Sequence, residues 1–181
     1  MVMVLAFDVE TTGLITSRLK RINFQPYVIQ FCGALVDCDA GLIVRHFDTF
    51  VSPPDLETIT ADVTKISRIT KETVKDHGTF AAYFDKISAM IREAPAVAAH
   101  NLVFDRDMLD LEARRIDKAF VWPSRQICTV EMTNHVMGYR LNMADLHRYL
   151  LGEDFTDAHD ARADVAALVR CLIEMRRREW L

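Results

Sequence analysis

Cysteine is scarce in this chain. The four, Cys32, Cys38, Cys128 and Cys171, make no CxxC pair, and the reading that remains is free thiols in a reducing compartment. Long apolar runs are missing too. The apolar start ends after seven residues, without a basic leader, and no run approaches the roughly 20 residues that span a bilayer. Together these features predict a cytoplasmic protein with no membrane partner. Strong charge of one sign is also absent. A net charge of −4 argues against a protein held to nucleic acid by bulk charge alone, while leaving room for a local basic surface. There is no repeat, no low-complexity segment and no linker. With 181 residues, half of them hydrophobic, the chain predicts one compact domain, 1–181, with a real core.

What is present reads as strands first, then helices. Residues 2–9 predict a central strand, apolar on both faces and ended by ThrThrGly at 11–13. VIQFCGALVD (28–37) and LIVRHFDTFVSP (42–53) predict two more strands, and the short connections favour an antiparallel meander. In 79–94, Phe80, Phe84, Ile87 and Ile91 recur at helical spacing. A short strand at 95–101, a helix at 104–117, a fifth strand within 125–132, and helices at 142–151 and 161–178 follow. This order predicts an α/β fold, a mixed sheet with helices on its faces.

Three polar groups interrupt that pattern. Asp8 and Glu10 sit two apart at the end of an apolar strand, so period two turns both side chains to one face. Carboxylates in a dry place are costly unless a cation or hydrogen bonds compensate them. Asp105, in HNLVFDRDML (100–109), falls near a helix start, where a first-turn acid is stabilising in its own right; Asp107 and Asp110 compete with it for any functional role. In HDARADV (159–165), His159 precedes Asp164 by five. On an unbroken helix five residues leave two side chains about 140° apart. His159 is therefore expected on a loop or turn that folds back, with Asp164 on the helix and Asp160 as its cap.

FDVETTG, HNLVFD and HDARADV, in this order, resemble the three exonuclease motifs of the DEDDh family. That is the family of the proofreading subunit of bacterial DNA polymerase III, of oligoribonuclease and of RNase T. The resemblance extends from residue 4 to about 173 and implies a ribonuclease H-like fold with a five-stranded mixed sheet and helices on both faces. It also implies 3′→5′ removal of nucleoside 5′-monophosphates with two divalent ions, Mg²⁺ or Mn²⁺. Residue by residue, it assigns the acids to Asp8, Glu10, Asp105 and Asp164 and the histidine to His159. The ICTVEM stretch around Cys128 departs from the commoner run at that place, which is not a ligand position in the family.

The chemistry suits the residues. A phosphodiester is poly-anionic, and two divalent ions about 3.5–4 Å apart activate the attacking water and stabilise the leaving 3′ oxygen. Hard ions prefer an all-carboxylate set. The resemblance implies Asp8 as the bridging ligand, Glu10 and Asp164 as inner ligands, and Asp105 as a ligand acting partly through water. These ions compensate the two strand acids. His159 is expected to be the general base, since histidine titrates near working pH. Thr11, Thr12 and Leu14 follow the acids and, by resemblance, meet the terminal nucleotide. Phe104 is expected to line the cleft or to be buried in the core, and Asn101 to hold the cleft wall or a terminal nucleotide. Ile66, Ile69 and Val74 are expected to shape the opposite wall or to pack between helices, and the 14–26 loop carries basic residues suited either to guiding a strand or to an ordinary solvated insertion. The expected substrate is a single-stranded 3′ end, DNA by preference and RNA as the alternative. A polymerase or a second copy is the expected protein partner, and a non-catalytic binding subunit is the contrasting reading.

Overall fold

The structure, a computed structural model, describes residues 1–16, 21–155 and 160–181. Among these, five strands form one sheet in the order β3-β2-β1-β4-β5. β1 (Met3–Thr11), β2 (Val28–Asp37) and β3 (Leu42–Phe50) form the antiparallel meander. β4 (Ala96–Ala99) joins β1 in parallel, and β5 (Arg125–Cys128) joins β4 in parallel. The mixed sheet with helices on both faces is therefore as expected from the sequence.

The central strand explains the layering. Along β1, Leu5, Phe7 and Val9 point to one face and Val4 and Ala6 to the other. The first set packs against α3 (Phe80–Glu93) and α4 (Leu102–Arg115), through residues such as Phe84, Ile87, Ile91, Met108 and Leu109. The second set meets α6 (Met143–Leu151) and α7 (Ala161–Arg177), through Leu146, Val165, Leu168 and Leu172. A strand that is apolar on both sides can satisfy itself only in such a sandwich.

Several boundaries differ from the sequence reading for local reasons. β1 runs on to Thr11, with a register irregularity between Glu10 and Thr11. β3 ends at Phe50, the last partner of β2, before the two prolines. α4 begins at Leu102, two residues early, with Asn101 at its N-cap in the left-handed region (φ 74°). The expected fifth strand stops at Cys128, and α5 (Thr129–Met137) takes over with Thr129 and Thr133 buried. Two short helices, α1 (Ala61–Ser67) and α2 (Lys71–Val74), start at Thr60 and Thr70. Each threonine accepts a hydrogen bond from a backbone N–H of its first turn. Ile69 and Val74 are buried beside them with Ile29 and Ile59, the packing role, whereas Ile66 is exposed on the other side of α1.

Candidate active site

The site forms where the C-terminal end of β1 meets the first turns of α4 and α7. Asp8 and Glu10 share one face of β1, opposite Cys32 and Gln30 of β2. Asp164 lies in the first turn of α7, where its N–H donates to the carbonyl of Asp160 at 2.9 Å. Oxygen atoms of Asp8, Glu10 and Asp164 lie within 4.8 Å of one another. Asp105 occupies the first turn of α4, 3% exposed, and does not belong to that triplet. Its Oδ1 accepts the N–H of Val9 at 3.2 Å. The β1–β4 ladder pairs only Leu5 and Ala6, so Asp105 satisfies a donor beyond its end.

The electrostatics are those of a site built for cations. Burial pushes the Asp8 carboxyl well above its ordinary 3.8, and the charges of Asp105, Asp164 and Glu10 push it further. Burial, then Asp164 and Asp160, raises Glu10 to about 7. The largest influences on these two acids all act in the same direction. Asp105 is also raised by burial, partly offset by hydrogen bonds from the N–H groups of Val9 and its own residue. Crowded carboxylates that raise one another and offer an all-oxygen donor set fit hard divalent ions such as Mg²⁺ or Mn²⁺.

The triplet opens into a cleft of about 820 Å³ that Asp105 also lines. Thr11, Thr12 and Leu14 line it from the turn after β1. Gly13 adopts φ +153°, which side-chain-bearing residues rarely reach, so the chain turns away here. The Thr11 hydroxyl donates to the carbonyl of Gly13 at 2.8 Å. The Thr12 hydroxyl accepts the N–H of Tyr27 at 2.9 Å, retaining its own hydrogen for donation. Leu14 is 78% exposed and faces the cleft. Phe104 lines the cleft and packs on the α3–α4 core as well. Asn101 is exposed at the α4 cap and is not part of the cleft lining. His159 lies outside the described residues.

Other walls carry no motif. Thr60, Val63 and Ile66 of the α1 region form one side, and Asn142 and Met143 at the start of α6 form another. Of these, Ile66 is the residue that the sequence alone points to, as a candidate cleft wall. His100 lines the cleft too. Its Nδ1 lies 2.8 Å from the Thr129 hydroxyl, and burial lowers its pKa to about 4. It is neutral at working pH.

One family profile matches most of the chain. The family profile described as RNase_T: Exonuclease matches residues 5–172. No curated protein sequence matches the chain. Among solved structures, the chain is similar to the nuclease domain of 3′hExo, a DEDDh family member bound to rAMP. The TM-score is 0.77 at 14% identity, covering 97% of this chain and 92% of that one. It is also similar to a 3′-exonuclease solved in the 3′-end specific recognition of histone mRNA stem-loop, with a TM-score of 0.78 at 13% identity over 97% and 82% of the two chains. Exonuclease X in complex with 5′ overhanging duplex DNA gives a TM-score of 0.63 at 19% identity, over 98% and 94%.

Proposed function

The chain belongs to the exonuclease family that includes the DEDDh enzymes, and from that premise we propose that it trims RNA from the 3′ end, releasing nucleoside 5′-monophosphates. The observation that carries this reading is the convergence of Asp8, Glu10 and Asp164 within 4.8 Å at the floor of an open cleft. Family membership makes the chain a phosphodiester hydrolase. The preference for RNA rests on two similar structures, one holding rAMP and one concerned with histone mRNA. It replaces the preference for DNA drawn from sequence. The DNA reading, with proofreading beside a polymerase as its strictest form, keeps one support in the exonuclease X complex.

Asp8, Glu10 and Asp164 would hold the divalent ions, with Asp105 behind them. When bound, two such ions supply Lewis-acid activation of water and charge compensation for the leaving 3′ oxygen. The protein's own groups do the rest. Leu14 and Ile66, both exposed on the cleft, present apolar surface to the terminal base. Contacts of this kind tolerate any base. The Thr12 hydroxyl hydrogen is available to a sugar or phosphate oxygen. His159 takes the proton of the attacking water at a ring nitrogen; its chain neighbour Asp160 caps α7, the helix that carries Asp164. His100, neutral and tied to Thr129, is a weaker proton acceptor.

The test is a panel of 5′-labelled single-stranded RNA, single-stranded DNA, duplex DNA, mismatched duplex and a dinucleotide at equal concentration with Mg²⁺. The expected order puts single-stranded RNA first. Faster digestion of DNA ends, with a further gain at mismatches, would replace the RNA reading with the DNA one.

A further inference from the structure

A buried amide stands beside the acids and belongs to none of the motifs. Gln30 of β2 is 1% exposed and lies directly across the strand pair from Glu10. Its Nε2 donates to Asp48 Oδ1 at 3.1 Å and to Asp160 Oδ1 at 3.4 Å. Its Oε1 accepts the N–H of Ala161, the first residue of α7, at 3.4 Å. The partners fix which end of the amide is which, because carboxylates only accept and a backbone N–H only donates. No other residue type of this size offers two donors and an acceptor without charge.

The location gives the contact its meaning. The first turn of α7 carries Asp160 and Asp164, and it must sit against a strand end that carries Asp8 and Glu10. Carboxylate oxygens of Asp8, Glu10 and Asp164 lie within 4.8 Å of one another, so this apposition brings like charges together before any ion arrives. The larger apolar contacts of α7 are Val165, Leu168, Leu172 and Met175, and Ala161 at its first residue is buried in the same cluster with only a methyl to offer. Polar ties add to that methyl at the acidic end. Gln30 reaches the helix, and Arg162 bridges Asp160 at 3.3 Å and Asp48 at 3.6 Å on the half-exposed side. Exposed pairs of that kind contribute little, which leaves the amide as the buried polar tie.

We infer that Gln30 is a positioning residue of the metal centre: it pins the N-terminus of α7 to the sheet so that Asp164, one turn in, is held at ligating distance from Asp8 and Glu10 before the ions bind. This rests on the metal-centre reading above but concerns a residue outside it. Residues that orient metal ligands typically change metal affinity by about 10–100-fold when replaced. Gln30→Leu removes every bond of the amide. Gln30→Glu keeps the shape and adds a charge among Glu10, Asp48 and Asp160.

The test measures Mn²⁺ binding by titration calorimetry on metal-free protein, and amide hydrogen exchange at Ala161 and Asp164. Both variants should bind Mn²⁺ about 10–100-fold more weakly, and both amides should exchange faster. Turnover should fall at limiting Mn²⁺, recover in part at high Mn²⁺, and leave KM for the oligonucleotide unchanged. Ile69→Ala, in the separate cluster beneath α1 and α2, serves as the structural control; it should lower Tm without changing Mn²⁺ affinity. Wild-type Mn²⁺ affinity and wild-type exchange in folded Gln30→Leu would overturn the assignment. Should the leucine variant not fold, the same two results in Gln30→Glu would overturn it. A wild type that binds Mn²⁺ yet degrades no nucleic acid would refute the proposed activity and leave this assignment standing.

Discussion

Glu10 keeps its proton to about pH 7, against an ordinary value of 4.5, because burial and then the charges of Asp164 and Asp160 disfavour its ionised form. The folded protein without metal therefore binds this proton more tightly than the unfolded chain does. The resulting stability is complete below about pH 4.5 and is lost as pH rises towards 7. Chelated protein should show a falling Tm across that window, and Glu10→Gln should flatten the fall. Asp8 and Asp105, also raised, act with the same sign. A Tm that rises from pH 4.5 to 7 equally in wild type and Glu10→Gln would contradict this account. Ion binding then competes with protons, so Mn²⁺ titrated below pH 7 should release protons, read as a heat that depends on the buffer.

A general base contributes typically about 10²–10⁴-fold, so His159→Ala should lower single-turnover cleavage within that range. Mn²⁺ affinity should hold, since a hard oxygen site does not need an imidazole. Lost metal binding would instead make His159 a ligand.

Among elements, α4 does two jobs, and its buried ion pair shows the second. Glu112 Oε1 accepts the N–H of Val28 at 2.9 Å and pairs with Arg115 at 2.8 Å. Arg115 Nη2 donates to the carbonyls of Ile22, Gln25 and Pro26. The pair thus ties the segment before β2 to the helix that carries Asp105. Its two side chains are only 9% and 6% exposed. Removing one partner of such a pair leaves a buried charge and typically costs about 3–5 kcal/mol. Arg115→Ala should lower stability by that order in denaturant titration, and a loss within about 0.5 kcal/mol, the ordinary surface range, would contradict the role.

Elements also differed in how far they could be read from sequence. β2 was legible to the residue because ten residues without Pro, bounded by turns, leave little else to form. The acids at Asp8 and Glu10 were legible because a strand that is otherwise dry has no reason to hold them. Four-residue helices such as α2 carry too little periodicity to announce themselves. The start of α5 was hidden because ICTV suits a strand and only its burial inside the fold decides otherwise. Gln30 and the cleft walls at α1 and α6 were invisible because their meaning comes from contacts far apart in the chain. Gln30 meets α7 across 131 residues.

At the scale of the whole molecule, the sheet acts as a frame that gathers three distant chain segments at one end of β1. Among the described residues no helix is long and apolar enough to cross a membrane, and all four cysteines are free thiols; the frame is held by packing. Its metal-free state is opposed by its own acids. Saturating Mn²⁺ should therefore raise Tm in wild type, following the mass-action gain of a ligand that binds only the folded state, with no comparable rise in Asp8→Ala or Asp164→Ala.

The proposed activity is removal of nucleotides from the 3′ end of RNA at a divalent-metal centre formed by Asp8, Glu10 and Asp164. Its most direct test follows a 5′-labelled single-stranded RNA through a time course with wild type and Asp8→Ala, with Mg²⁺ and with chelator. Wild type with Mg²⁺, and no other combination, should give a ladder that shortens from the 3′ end and free nucleoside 5′-monophosphates. Digestion that persists in chelator or in Asp8→Ala, or release of the 5′ label in the first product, would contradict it.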